Sequence, residues 1–203
     1  MKFPRTAQEW IHWLEMGEGA RWVRLAAVLV GGLALSLLVA WKQFHGPSSE
    51  AVLLQADVGR QLARGEGFTT QVNYPQTVAV LAARGRGFDA KQALPELHQA
   101  PLYSLVIAAG LRVLPEGVRA GLFSKAPVPP DGFAADYFLL GLNLILLWVA
   151  AWLTFDLGRR LFEPRVGWVA ALALMLSMPL WRHTVAVNGL PLLMVLALAA
   201  FRL

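Results

Sequence analysis

The chain contains no cysteine. Disulfides, thiolate zinc sites and cysteine nucleophiles are therefore excluded, and the redox compartment stays open. Charge is scarce as well: Asp, Glu, Lys and Arg make up 15% of 203 residues, where a soluble domain carries roughly 25%. There are only four histidines and no His-x-x-x-His pair, so a histidine metal centre has little support. No nucleic-acid-binding motif accompanies the net charge of +5, and no nucleic-acid partner is expected. Such a basic balance fits Lys and Arg at membrane ends, facing lipid phosphates. What the chain has in abundance is apolar sequence: 57% of residues and a mean hydropathy of +0.51. These residues sit in long blocks with the charges between them, as in a chain whose solvent is lipid.

The blocks define an order. Residues 4–22 interleave Trp10, Trp13 and Trp22 with Glu9, Glu15 and Glu18, the pattern of a helix lying at the headgroup level. Leu25 to Trp41 is free of charge and, with its flanks, spans a hydrocarbon core of roughly 30 Å. The segment before it is long for a signal-peptide n-region and no A-x-A site follows, so an uncleaved anchor is expected. Tyr137–Phe155, Val166–Trp181 and Thr184–Phe201 read as three further spans, the last incomplete. Residues 101–114 form an apolar run too short to cross, interrupted by Arg112. The fold expected is all-α: a polytopic membrane bundle with a large external first loop containing short amphipathic helices. Its parts are a cytoplasmic interfacial segment at 1–24, a first span at 25–41, the external loop at 42–133 and spans two to four at 134–203.

The loop holds the residues that can carry chemistry. Ser48 or Ser49 can cap a helix running from Glu50. Glu50 and Asp57 then lie two turns apart on one face, and Arg60 can pair with Asp57 at i+3. Leu62-Ala-Arg-Gly-Glu-Gly-Phe68 and Ala82-Ala-Arg-Gly-Arg-Gly-Phe88 resemble each other, and Gly65 and Gly85 suit left-handed helix C-caps. An acid just outside a span can act as a general base, or hold a phosphate through a divalent metal. From spacing alone, a solvated amphipathic face is the plainer reading. Asp136 and Asp156 bracket the second span and are expected to be solvated; Asn143 inside it is expected to bond a neighbouring helix.

Taken in order, several short segments resemble the GT-C class of membrane glycosyltransferases, in particular the family 39 or ArnT-like group. They are Val58-Gly-Arg-Gln-Leu62, Gly65-Glu-Gly-Phe68, Ala100-Pro-Leu-Tyr-Ser-Leu105 and Leu157-Gly-Arg-Arg-Leu-Phe162, covering about residues 20–203. The resemblance implies transfer of a sugar from a polyprenyl-phosphate carrier to a glycan, lipid or protein acceptor on the outer face of a bacterial inner membrane. It puts the first catalytic acid at Glu50, with Asp57 in support. Arg60, Arg64, Arg84, Arg86 and Lys91 are cations available for the lipid phosphate, and His98 and Tyr103 flank a cleft. No resident cofactor is implied beyond the metal just mentioned. The second outer acid of the family falls on Asn188, which hydrogen-bonds but cannot be a base. Members of the class continue through many more spans. That difference and Asn188 support a second reading, a non-catalytic scaffold or accessory protein. A transporter is weaker, because the spans are almost free of ionisable groups.

Orientation follows from arginine count. Arg159, Arg160 and Arg165 crowd one short link, which marks it cytoplasmic. Counting back puts the N-terminus inside and residues 42–133 outside. Reporter fusions at Gly85 and Glu163 are expected to report opposite sides of the membrane, and the same side at both would overturn this topology.

Overall fold

A computed structural model describes residues 18–72, 74–85, 93–96, 99–123 and 132–202. The interfacial segment before Glu18, the Pro-rich patch at 126–130, and Arg86, Lys91 and His98 lie outside the described residues. The chain is mostly helical with little strand and divides into two compact units, Met1–Gln43 and Phe44–Leu203.

The first unit holds α1 (Glu18–Gln43). Its Leu25–Gln43 stretch is long and apolar enough to cross a membrane, and only 11% of that window is buried. Leu33, Leu37 and Trp41 are exposed. Such length and exposed apolar surface are those of a helix able to cross a membrane.

The second unit begins with α2 (Glu50–Arg64). Ser49 caps it by accepting from the Val52 N–H. Gly65 ends it with φ of 85°, the Gly65 N–H donating to Leu62 O and the Glu66 N–H to Gln61 O. Those two bonds make a Schellman cap, which needs a residue without Cβ. Gly85, after α3 (Pro75–Ala83), has φ of 67°, so both glycines hold the left-handed conformation expected of them. β1 (Thr69–Thr70) and β2 (Leu94–Pro95) pair antiparallel with Thr69 opposite Pro95.

α4 (Pro101–Val113) is 13 residues long, too short to cross a bilayer, as expected for 101–114. It packs against α2 where Gly59 meets Ser104 and Ile107: a Cβ on Gly59 would lie 2.7 Å from Ile107 Cγ2. Arg112 ties the far end by donating to Leu62 O at 2.8 Å. A short α5 (Glu116–Leu122) follows.

α6 (Ala134–Leu161) is the second helix long and apolar enough to span. Asp136 accepts from the Phe133 N–H in its first turn, where a carboxylate complements the helix dipole. The run expected as one third span is broken. α7 (Pro164–Met175) and α8 (Met178–Val185) meet at a 54° bend, because Ser177-Met-Pro179 interrupts the ladder. The Trp181 indole N–H donates to Met175 O at 2.6 Å and braces the corner. Counted together, the bent pair can make a third crossing. α9 (Leu190–Ala200) is 11 residues long, beginning later than the Thr184 expected from hydropathy, since residues 184–189 close α8 and turn.

α6 and α7 touch backbone to backbone. A Cβ on Gly158 would lie 2.7 Å from Gly167 Cα, and one on Gly167 would lie 2.6 Å from Phe155 O. Small residues at such a crossing supply the close packing that replaces the hydrophobic effect in lipid. Gly158→Ala is expected to force the helices apart and destabilise the unit by about 1–3 kcal/mol, read as a lower thermal midpoint in detergent. Gly31→Ala, with nothing within 4 Å, is the control and is expected to leave the midpoint unchanged or raise it.

Candidate functional site

α2 carries the acids singled out by the sequence. Glu50 is exposed in the first turn and makes no hydrogen bond or ion pair with a described residue. Asp57 is engaged: its Oδ2 accepts from Thr70 Oγ1 at 2.9 Å and from the Gln71 N–H at 2.7 Å. The carboxylate thus holds the end of β1 against α2, a fixed positioning duty. Seven residues of helix separate the two acids by about 10 Å, too far to share one metal ion. Among the described residues no group of three or more His, Cys, Asp or Glu is placed to hold a metal. A divalent ion therefore does not fit the acids on α2.

Arg60 does not serve Asp57 as the i+3 spacing suggested. Its guanidinium lies over the Phe123 ring, 4.2 Å from the centroid, a cation–π contact. Burial and then the neighbouring Arg64 lower its pKa from the ordinary arginine value, though arginine stays a cation at neutral pH. Arg64 is exposed in the last turn of α2, where a cation suits the C-terminal dipole. Arg84 is exposed just after α3.

Tyr103 and Asn188 meet in a buried polar knot centred on Asn143. The Tyr103 hydroxyl lies 2.9 Å from Asn143 Oδ1 and 3.1 Å from Val187 O, within donor reach of both. The Asn143 amide donates to Thr184 O at 3.3 Å and Asn188 O at 3.0 Å. Thr184 Oγ1 donates back to Leu180 O. Three elements are joined: α4 through Tyr103, α6 through Asn143, and the α8–α9 turn through its carbonyls. Asn143 bonds its neighbours as its position in a span suggested. Gly189 completes the fit, since a Cβ there would touch the Tyr103 ring at 3.6 Å.

Val187 shows what the knot imposes. It is wholly buried with φ of 58°, a conformation rare for a β-branched residue and worth roughly 1–2 kcal/mol of strain. Its carbonyl is thereby aimed at the Tyr103 hydroxyl. Asn188 has local duties: Oδ1 accepts from the Leu190 N–H at 3.1 Å, opening α9, and Nδ2 lies 2.8 Å from His183 Nδ1. At the position the resemblance gives to the second outer acid, the side chain instead holds the turn that leads into α9, whose N-cap is Gly189.

The cluster that sequence reasoning missed is at the other end of α6. Asp156 was expected to be solvated, but its side chain is 3% exposed and is met by Arg159 at 2.7 Å, Arg160 at 2.9 Å and Arg202 at 3.2 Å. Arg202 lies far along the chain, so no local spacing signalled its arrival. The i+3 and i+4 arginines were the legible part.

The phenol of Tyr103 titrates above its ordinary value of about 10, chiefly because burial penalises the phenolate. The unfolded chain ionises this group first, so its contribution to stability is full below pH 10 and lost as pH rises further. The difference in 295 nm absorbance between wild type and Tyr103→Phe is expected to be absent at pH 10.5 in the folded protein and to appear on unfolding. Tyr103→Phe also leaves Val187 O and Asn143 Oδ1 without this donor and is expected to cost about 1–3 kcal/mol.

Comparison with protein-family models, with curated proteins and with solved structures finds no match.

Proposed function

We propose that the chain is a membrane glycosyltransferase of the GT-C kind, using a polyprenyl-phosphate sugar and a hydroxyl acceptor at the outer face of a bacterial inner membrane. The reading rests on the ordered likeness of its motifs. The observation that carries it is the free carboxylate of Glu50, exposed at the head of an amphipathic helix that follows an apolar one. In this reading α1, α6, the bent α7–α8 pair and α9 form a polytopic bundle. The N-terminus is cytoplasmic and residues 42–133 make the external loop.

Glu50 is then the general base. It takes the proton of the acceptor hydroxyl as that oxygen bonds to the anomeric carbon, and the electron pair of the carbon–phosphate-oxygen bond leaves with the polyprenyl phosphate. A solvated carboxylate without a competing donor can accept that proton; Asp57, holding two donors already, is poorly suited. The exposed guanidinium of Arg64 is the α2 cation available to the departing phosphate. Arg60 supports the helix by stacking on Phe123. Tyr103 and Asn188 set the framework rather than touching substrate.

One observation favours the second reading, a non-catalytic scaffold. The side chain of Asn188 is engaged by the Leu190 N–H in the turn before α9 and by His183, so nothing at that position offers a second acid. The two readings part on one measurement, consumption of lipid-linked sugar by membranes carrying the protein. Glu50→Gln is expected to reduce turnover at least about 100-fold with unchanged thermal stability, whereas Asp57→Asn is expected to lower stability first. Normal turnover in Glu50→Gln would remove Glu50 from the mechanism; no turnover in wild type would favour the scaffold.

A further inference from the structure

The Asp156 cluster holds more cationic charge than its carboxylate needs. One aspartate and three arginines leave a local excess of two positive charges (three minus one). The carboxylate is almost fully buried, while the Arg159, Arg160 and Arg202 side chains remain 51%, 49% and 38% exposed. Arg159 takes Oδ1 through both Nε and Nη2. Arg160 and Arg202 each approach Oδ2 with Nε, at 2.9 Å and 3.2 Å, as ion pairs; that oxygen has no hydrogen-bond partner among the described residues. Three guanidiniums carry about fifteen N–H donors against about four acceptor positions on one carboxylate. With the three side chains half to a third exposed, donors remain for a ligand from solvent.

Two further contacts fix where these groups sit. Arg202 lies over Trp152, 5.1 Å from the ring centroid, and Arg159 lies near Phe155 at 5.8 Å. Arg159 and Arg202 are therefore each held both by the Asp156 carboxylate and by an aromatic ring. Next in the chain after Arg160, Leu161 and Phe162 are exposed and apolar. The cluster thus stands where the apolar surface of a candidate span ends, the level at which lipid phosphates lie. Glu163, exposed in the adjoining link, is the nearest acid in sequence.

We infer that Asp156 organises Arg159, Arg160 and Arg202 into a binding site for the phosphodiester of an anionic lipid headgroup. A phosphate oxygen replaces water at the outward donors and neutralises the excess charge, and charge-assisted bonds to guanidinium suit its geometry. The inference is independent of the glycosyl-transfer reading.

The test uses the full chain purified in a neutral detergent. Bound lipid is counted by native mass spectrometry and thermal stability is followed as phosphatidylglycerol is added, with phosphatidylcholine and inorganic phosphate as separate arms. Wild type is expected to bind phosphatidylglycerol saturably and to gain stability, with neither effect from phosphatidylcholine. Arg160→Gln with Arg202→Gln is expected to weaken binding about 25-fold, about fivefold for each arginine. Arg165→Gln, in the same link but outside the cluster, is expected to bind like wild type. If the double glutamine variant does not fold, the double lysine variant keeps a cation beside Asp156 and loses the planar fork, and a reduced lipid shift is expected there. Unchanged binding in whichever double variant folds, an equal effect of phosphatidylcholine, or an equal loss in Arg165→Gln would overturn the site. Saturation by inorganic phosphate with no added effect of lipid would overturn its assignment to a headgroup.

Discussion

The second unit depends on Asn143. An uncharged amide buried in an apolar helix costs several kilocalories unless its donors and acceptor are met. Here the acceptor faces Tyr103, and the donors go to a carbonyl in the last turn of α8 and to one in the α8–α9 turn. None of those partners is a neighbour in sequence. The requirement for satisfaction therefore converts one polar residue into a spatial constraint on three segments. α4 must bring its tyrosine to this depth, and the turn at 184–188 must present its carbonyls inward. The positive φ of Val187 is a consequence: the turn gives up backbone comfort so that its oxygen can accept from Tyr103. The alternative, a buried amide left unmet, is worse.

The parts of the fold governed by local rules were legible. Seventeen uncharged residues from Leu25 mark an apolar helix, Ser48 or Ser49 marks a cap, and Gly65 and Gly85 mark left-handed ends. Each follows from interactions within a few residues. Hydropathy also showed an apolar region from Val166 onward, but it smoothed over Pro179 and so merged α7 with α8. Asp156 was illegible for a different reason. At the end of a span a carboxylate is ordinarily wet, and only Arg202, 46 positions away, brings the third charge that closes the site. Asp57 shows the same limit at shorter range. Its i+3 arginine was visible, but the hydroxyl and backbone N–H that claimed it come from the strand beyond the Gly65 turn.

These two acids and Asn188 bear on how a motif is read. Position within a resemblance says which residue type to examine, and hydrogen-bond occupancy says whether that residue is free to react. Asp57 has donors at one oxygen, Asn188 has partners on both ends of its amide, and Tyr103 is buried against two acceptors. Glu50 alone among the described candidate acids keeps an uncommitted carboxylate in solvent.

Two different clasps separate along α6. The Asn143 knot lies near the first third of α6, and the Asp156 cluster lies thirteen residues further, about 20 Å along the helix axis. Each end is closed by a different kind of bond: neutral hydrogen bonds with carbonyls at one, charge with arginines at the other. Neutral bonds suit the deeper position, because they leave no net charge to desolvate. The arginines suit a helix end, where long side chains keep their heads in water or among phosphates while their stems cover apolar surface. A charge cluster at Asn143 would carry the full cost of burial, and an amide at Asp156 would leave three guanidiniums repelling one another. The sequence order of the two clasps is therefore fixed by depth, which ties the register of α6 to any membrane it crosses.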